Sequence, residues 1–157
     1  MQYKLLLVNF VLSNDLKEKI TEFLNSIRRL GIKSSFDLLT IDNWYNLEDV
    51  GNLPNEPAFY AIRVINYRNY GLDSDIVYFG ETKNLWRRIR ILKKAIVSGS
   101  GMHSGGRNLW RKVSLELSKF ELLWLKANNK YIAKLLERHL ITLFHDEHGH
   151  LPIGNRV

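Results

Sequence analysis

Residues 58–92 read AFYAIRVINYRNYGLDSDIVYFGETKNLWRRIRIL, and this stretch decides the fold. Residues 59–65 and 76–79 are rich in β-branched and aromatic side chains, which favours strands. The polar segment 66–74 between them has the composition of a turn. Residues 83–97 then follow a helical spacing of apolar side chains. The sequence therefore predicts a hairpin with a long loop, followed by a helix.

Downstream of this stretch, the sequence continues with two helices and one strand. Residues 107–117 predict a helix, residues 120–127 (FELLWLKA) a third strand, and residues 131–144 a long final helix. This order of elements predicts an α+β fold, in which helices flank a small antiparallel three-stranded sheet. We assign residues 54–157 to this domain.

The first 53 residues have a different character and form an N-terminal accessory region. Residues 3–12 are nearly continuously apolar and fit either a buried strand or a short helix. Residues 16–30 place apolar side chains at helical spacing, and a second, shorter helical piece is expected at residues 36–39 after two serines. We therefore expect a helical extension over residues 1–53.

Composition excludes several classes of protein. The 157 residues contain no cysteine, which excludes a disulfide framework, Cys-ligated zinc, iron–sulfur clusters and thiol nucleophiles. No stretch approaches the roughly 18 consecutive apolar residues of a membrane helix, and the apolar N-terminal run lacks a small-residue cleavage site. We expect a cytoplasmic protein without a membrane partner.

The positive charge is concentrated in one part of the chain. Lys and Arg number 23 against 16 Asp and Glu, but the segment from Lys83 to Lys119 alone holds ten basic residues and one acid. Such a stripe, interleaved with Trp86 and Trp110, suits the phosphate backbone of a nucleic acid; the alternative is a solvated helix face. The residues we assign to this contact are Lys83, Arg87, Arg90, Lys93, Lys94, Arg107, Arg111 and Lys112.

Two adjacent arginines differ in the face of the helix on which they fall. Arg88 projects into the apolar stripe between Leu85 and Leu92, whereas Arg87 projects to the opposite side. A buried guanidinium needs an anionic partner, because an unpaired buried charge is costly. An ion pair with the sheet and an anionic ligand both meet that need.

A carboxylate lies at the edge of the apolar stripe of the final helix. Glu137 is either a surface residue paired with Lys134 one turn back, or a hard oxygen ligand for Mg²⁺.

The histidines offer weaker signals. His103 lies in a glycine-bounded loop, where its imidazole either meets solvent or substrate or is a surface histidine without a role. His145, His148 and His150 cluster near the C-terminus, but three histidines on a glycine-containing tail are a weak signal for a zinc site. We therefore expect these three histidines to be solvated.

Two short motifs on the predicted hairpin carry a family resemblance. Residues 58–60 (Ala-Phe-Tyr) and 78–80 (Tyr-Phe-Gly) resemble the paired motifs of the GIY-YIG nuclease family, and the following ETKNLWRRIR resembles that family's turn into a helix. Ala58 stands where the family usually has glycine. The similarity covers about residues 54–157, and the ordered set of motifs is more specific than any one of them.

The resemblance then assigns roles along the chain. Arg88 matches the family's arginine, His103 its loop histidine, Glu137 its metal-binding glutamate and Asn155 its late asparagine, which we expect to brace the site. By resemblance, the catalytic residues are Tyr60, Tyr78, Arg88, His103 and Glu137, and the structural residues at the site are Gly80 and Asn155.

The activity that the resemblance implies is hydrolysis of phosphodiester bonds in double-stranded DNA. One Mg²⁺ or Mn²⁺ ion on Glu137 would contact the scissile phosphate, and Arg88 would hold the phosphate oxygens. Tyr60 would be the general base, which requires a nearby cation because a free tyrosine has a pKa of about 10. Tyr78 and His103 would help to position water and relay the proton.

The resemblance leaves the biological role open among restriction, homing or phage, and repair nucleases. Small stand-alone members with a helical N-terminal addition resemble restriction enzymes, and one active site must act twice or pair in a homodimer to cut both strands. We expect residues 1–53 to serve DNA contact or dimerisation. The alternative from another class is a catalytically silent nucleic-acid-binding module on the same scaffold.

Overall fold

The computed structural model of the chain describes residues 13–33, 36–38 and 40–156. The described helices are α1 (Leu16–Arg29), α2 (Leu85–Ser98), α3 (Ser104–Lys112) and α4 (Lys130–His148). The described strands are β1 (Phe36–Asp37), β2 (Tyr45–Asn46), β3 (Ala58–Val64), β4 (Ile76–Thr82) and β5 (Phe120–Ala127). The fold is α+β, as the sequence predicts. None of the helices in this part of the chain is long and apolar enough to cross a membrane.

The sheet is larger than the predicted three strands. Strands β3, β4 and β5 form its centre, in the order β5-β3-β4, and all pairings are antiparallel. The two-residue strands β1 and β2 pair with the other side of β5, and Phe36–Asp37 is extended rather than helical. An unpaired β5 edge would leave backbone N–H and C=O groups without partners, and the N-terminal region supplies them.

The two faces of the sheet carry separate layers of helices. Side chains alternate along each strand, so that Phe59 and Phe79 face the layer of α1 and α4. Tyr60 and Ile62 face the opposite layer of α2 and α3. The hairpin therefore sends one set of aromatic side chains into each core.

Helix α1 is built into the first of these cores. Its apolar stripe, with Leu16 and Ile20 fully buried, packs in the same cluster as Phe79 and Leu123. The chain before it is fixed to the hairpin loop, because the Ser13 backbone N–H donates to the Asp75 carboxylate at 3.0 Å.

Helix boundaries differ from the sequence prediction where a cap was missed. Helix α3 begins at Ser104 and not at residue 107, because the His103 ring accepts a hydrogen bond from the Gly106 backbone N–H. Helix α4 continues to His148, four residues beyond the predicted end, and Gly149 ends it at a positive φ of 75°. The prediction for residues 3–12 and the two predicted capping serines, Ser34 and Ser35, lie outside the described residues.

Candidate active site

The centre of the site is the hydroxyl of Tyr60, which lies on β3 and is fully buried. His103 Nε2 lies 2.9 Å from Tyr60 Oη, and Arg88 Nε donates to the same oxygen at 3.4 Å. Gly80 pairs with Tyr60 across the β3–β4 ladder, and a Cβ there would lie 2.4 Å from Tyr60 Cζ. The glycine is needed because the tyrosine ring occupies the space of its missing side chain.

Tyr78 packs against these groups from β4. Its ring centroid lies 5.8 Å from that of Tyr60 and 5.4 Å from that of His103. Gly105, in the first turn of α3, provides the space, since a Cβ at that position would lie 2.3 Å from Tyr78 Cε2. We call Tyr60, Tyr78, Arg88 and His103 the tyrosine cluster.

The tautomer of His103 follows from its hydrogen bonds. The Gly106 backbone N–H donates to His103 Nδ1 at 3.0 Å, so that Nδ1 carries the lone pair and the ring proton lies on Nε2. Burial, together with the Arg88 charge, lowers the pKa of His103 to about 3, and the ring is neutral at pH 7. His103 therefore donates its Nε2–H to Tyr60. The expectation of an exposed loop histidine is wrong, because the ring caps α3 and is fully buried.

Burial holds both tyrosines in the neutral form. It raises the pKa of Tyr60 well above 10, with a further contribution from Tyr78, while Arg88 acts in the opposite direction. Burial also raises the pKa of Tyr78. The two donors at Tyr60 Oη lower the cost of a phenolate there, but burial outweighs them in this state.

Arg88 and Arg87 lie as the helical wheel predicts. Arg88 is half-buried and reaches Tyr60, whereas the Arg87 side chain is exposed. Asn84 fixes the start of the helix by accepting the Arg87 backbone N–H at 2.9 Å. The buried apolar stripe, which includes Leu85 and Leu92, sets the rotation of α2 and turns one arginine inward and its neighbour outward.

Glu137 is half-buried on α4, and it has a carboxylate neighbour that the sequence analysis did not single out. Burial and the Glu81 charge raise the pKa of Glu137 to about 7. Glu81 is only 14% exposed, with Oε1 3.9 Å from Lys130 Nζ, and Oε2 has no hydrogen-bond partner among the described residues. Glu137 also interacts electrostatically with Arg88 and Tyr78, so that it shares the field of the tyrosine cluster.

The signal for Glu81 was its place directly after the Tyr-Phe-Gly motif. A charged residue at the end of an otherwise apolar strand, next to the motif glycine, marks a carboxylate that the fold brings to the site.

Asn155 joins the C-terminal segment to β4. The Phe79 backbone N–H donates to Asn155 Oδ1 at 2.9 Å, and Asn155 Nδ2 donates to the Phe79 carbonyl at 2.8 Å. These bonds fix the strand between Tyr78 and Gly80, both of which contact Tyr60.

The basic residues assigned to nucleic-acid contact divide into two groups. Lys93 Nζ donates to the carbonyls of Glu48 and Val50 at 3.0 and 2.9 Å, and Arg107 donates to the Gly101 carbonyl. These two cations therefore have partners inside the protein. The exposed members of the set are Lys83, Arg87, Arg90, Lys94, Arg111 and Lys112.

The C-terminal histidines are not all solvated, which corrects the sequence prediction. His145 is exposed, but the side chain of His148 is fully buried, and His150 Nε2 lies 2.6 Å from an Asp73 carboxylate oxygen. The long hairpin loop supplies Asp73, which sequence spacing could not bring to the histidines.

No family model matches the chain, and no curated protein and no solved structure matches it.

Proposed function

We propose that this chain is a metal-dependent endonuclease that hydrolyses phosphodiester bonds of double-stranded DNA at a GIY-YIG-like site. The observation that carries the proposal is the convergence of His103 Nε2–H and Arg88 Nε on the buried hydroxyl of Tyr60. A purely structural buried tyrosine needs one hydrogen-bond partner. Two donors on one phenol oxygen favour the charged form, as a general base requires.

The residues around Glu137 suit a divalent cation with oxygen ligands. The Glu137 and Glu81 carboxylates repel each other, and the buried Glu81 Oε2 has no hydrogen-bond partner among the described residues. Mg²⁺ and Mn²⁺ accept such carboxylate ligands. Glu137 would hold the ion, which when bound supplies Lewis-acid stabilisation of charge on the phosphate and the leaving oxygen.

Each residue of the tyrosine cluster has a distinct part in the proposal. To act as the base, Tyr60 first releases its hydroxyl proton to solvent, and His103 stabilises the phenolate by donating its Nε2–H. The phenolate then accepts a proton from the attacking water and returns to the neutral phenol. His103 is therefore proposed as a hydrogen-bond donor and not as a proton acceptor, because its Nδ1 already accepts the Gly106 N–H. Arg88 binds the scissile phosphate, where its guanidinium offsets charge that grows in the transition state. Tyr78 packs against Tyr60 and His103 and positions both rings.

The outer surface of α2 and α3 is the proposed DNA surface. Both helices cover the face of the sheet that carries the tyrosine cluster, and both carry exposed cations. Clustered cations gain binding free energy by releasing counterions from the DNA. Because one active site cuts one strand at a time, we propose that two copies act on a duplex.

One observation favours the alternative of a catalytically silent DNA-binding module. The pKa of Tyr60 lies well above 10, and an unligated protein has almost no phenolate at pH 7. A scaffold that keeps the cluster only for packing has the same feature.

The experiment that separates the two functions is cleavage of supercoiled plasmid with Mg²⁺ or Mn²⁺. We expect nicking or linearisation that EDTA abolishes. Glu137→Ala should remove cleavage and retain DNA affinity, while Glu18→Ala, at an exposed position on α1, should cut normally. Binding of DNA without cleavage of supercoiled, linear or branched substrates by the wild type would establish the binding module instead.

A further inference from the structure

A second polar cluster lies away from the tyrosine cluster, where the hairpin loop meets the end of α4. It consists of Asp73, His148 and His150, which we call the histidine cluster. Asp73 lies in the loop between β3 and β4, and His148 is the last residue of α4. Gly149 takes a positive φ of 75° and reverses the chain, which returns His150 to the side of His148.

The three side chains present their ligand atoms to one point. Asp73 Oδ2 lies 2.6 Å from His150 Nε2 and 3.5 Å from His148 Nδ1, and all three ligand atoms are within 4.8 Å of one another. Metal–nitrogen distances of about 2.0–2.1 Å place the ligand atoms of a tetrahedral zinc site about 3.3 Å apart. The observed separations of 2.6 and 3.5 Å from Asp73 Oδ2 lie on either side of that value.

The imidazoles are held in ligand-like orientations. The His148 ring stacks on Phe144 with the ring centroids 4.0 Å apart and the planes 15° from parallel. His150 Nδ1 lies 2.9 Å from the Leu151 carbonyl. A proton on Nδ1 would be donated to that carbonyl and would leave the Nε2 lone pair toward Asp73, which is the usual support of a metal-bound histidine.

Arg156 contacts the same cluster. Its Nη2 lies 2.6 Å from His150 Nδ1 and donates there, which places the ring proton on Nε2, facing Asp73. A cation at Nε2 would displace that proton to solvent, and a proton taken up at Nδ1 would end the contact with Arg156. The metal-bound arrangement would therefore differ from the observed one by one proton position and one arginine contact.

Access and ligand chemistry suit a metal. A cavity of about 390 Å³ is lined by Asp73 and His150 and gives an ion a path from solvent. Two imidazoles with one carboxylate favour Zn²⁺ over Mg²⁺, which prefers oxygen ligands alone.

We propose that Asp73, His148 and His150 bind one Zn²⁺ ion, with water as the remaining ligand, and that this ion fastens the β3–β4 loop to the C-terminal segment. The consequence reaches the tyrosine cluster through Asn155, since the fastened segment includes the asparagine that hydrogen-bonds to Phe79. The site does not depend on the proposed nuclease function.

The test is calorimetric titration of the folded wild-type chain with Zn²⁺ at neutral pH, together with thermal unfolding. We expect one ion per chain at this site and a rise in Tm that grows with zinc concentration, and no such response to Mg²⁺. Asp73→Asn and His150→Ala should each weaken zinc binding by about tenfold or more. Their side chains are 57% and 33% exposed, so that both variants should fold.

His145→Ala is the matched control, because His145 is exposed and lies outside the cluster. It should bind zinc like the wild type, and so should Glu137→Ala, which separates this site from the proposed nuclease metal. Failure of the wild type to bind Zn²⁺ would overturn the proposal. Equal zinc affinity in Asp73→Asn, His150→Ala and wild type would also overturn it, as would a wild-type Tm that does not change with zinc concentration.

Discussion

The inner and outer faces of α2 carry similar residues in different environments. On the inner face, Arg88 is half-buried, reaches Tyr60 and acts electrostatically on Glu137. On the outer face, Arg87 is exposed, and Arg90 stacks over Trp86 with its Cζ 4.5 Å from the ring centroid.

The difference shows how one helix can place the same kind of charge in a buried and in an exposed environment. A guanidinium at low dielectric next to polarised groups has a large effect on charge that develops beside it, whereas an exposed one is screened and contributes mainly to long-range attraction. Substitution of Arg88 and substitution of Arg87 should therefore have very different effects on the proposed cleavage rate, although the two residues are adjacent in sequence.

The largest effect is expected for Tyr60→Phe, which removes the inner-face partner of Arg88 and keeps the ring. Loss of the proposed general base should lower the single-turnover cleavage rate by about 10²–10⁴-fold. It also leaves the His103 Nε2–H without its acceptor, so that the free energy of unfolding should fall by about 1–3 kcal/mol in urea denaturation. Tyr131→Phe, at a highly exposed position, should change neither quantity. Cleavage at the wild-type rate by Tyr60→Phe would remove Tyr60 from the mechanism.

The direct comparison of the two faces is Arg88→Ala against Arg87→Ala. The first should lower the cleavage rate at saturating protein by about 10²-fold or more, because it removes a contact that strengthens in the transition state. The second should leave that rate nearly unchanged and lower the salt dependence of DNA binding by about one counterion. The opposite pattern would contradict the assignment of catalysis to the inner face.

The pH dependence of metal binding tests the two carboxylates near the inner face of α2, Glu137 and Glu81. The pKa of Glu137 is about 7, so that protons compete with Mn²⁺ and its affinity should rise with pH up to about 7 and then level off. Glu81→Gln should move this midpoint to lower pH by removing a neighbouring charge, while Glu18→Gln should not. A midpoint that stays in place in Glu81→Gln would show that Glu81 does not act on Glu137.

The same pKa shift has a consequence for stability without metal. The folded protein keeps a proton on Glu137 that the unfolded chain releases above its ordinary pKa of 4.5. The contribution of Glu137 to the free energy of unfolding should therefore fall as pH rises from about 4.5 to about 7.

The smallest effect is expected at the adjacent lysines near the end of α2. Lys94 is exposed, and Lys94→Ala should lower the salt slope of DNA binding by about one. Lys93→Ala should leave the slope unchanged and lower Tm, because Lys93 Nζ is bonded to the carbonyls of Glu48 and Val50. Equal salt slopes in the two variants would show that burial of Lys93 does not separate it from the DNA surface.

Much of the fold could be predicted from local patterns. The β-branched and aromatic runs of the hairpin, the strand FELLWLKA at Phe120–Ala127 and the inward turn of Arg88 all follow from spacing along consecutive residues. The extended conformation of Phe36–Asp37 could not be predicted in this way, because it depends on pairing with β5, about 90 residues later in the chain.

The candidate site likewise has features that follow from local sequence and features that depend on distant parts of the chain. Helical spacing by itself separated Arg88 from Arg87, and composition separated the basic stripe from the rest of the chain. Only the tertiary structure decided the partners of Tyr60 and the burial of His103, which are 43 residues apart, and the contact of Asp73 with His150 across 77 residues. Periodicity determines which side of an element a residue takes, because that depends on neighbours along the chain. Which groups meet there depends on how the elements pack, and hydrogen bonding, burial and pKa depend on that meeting.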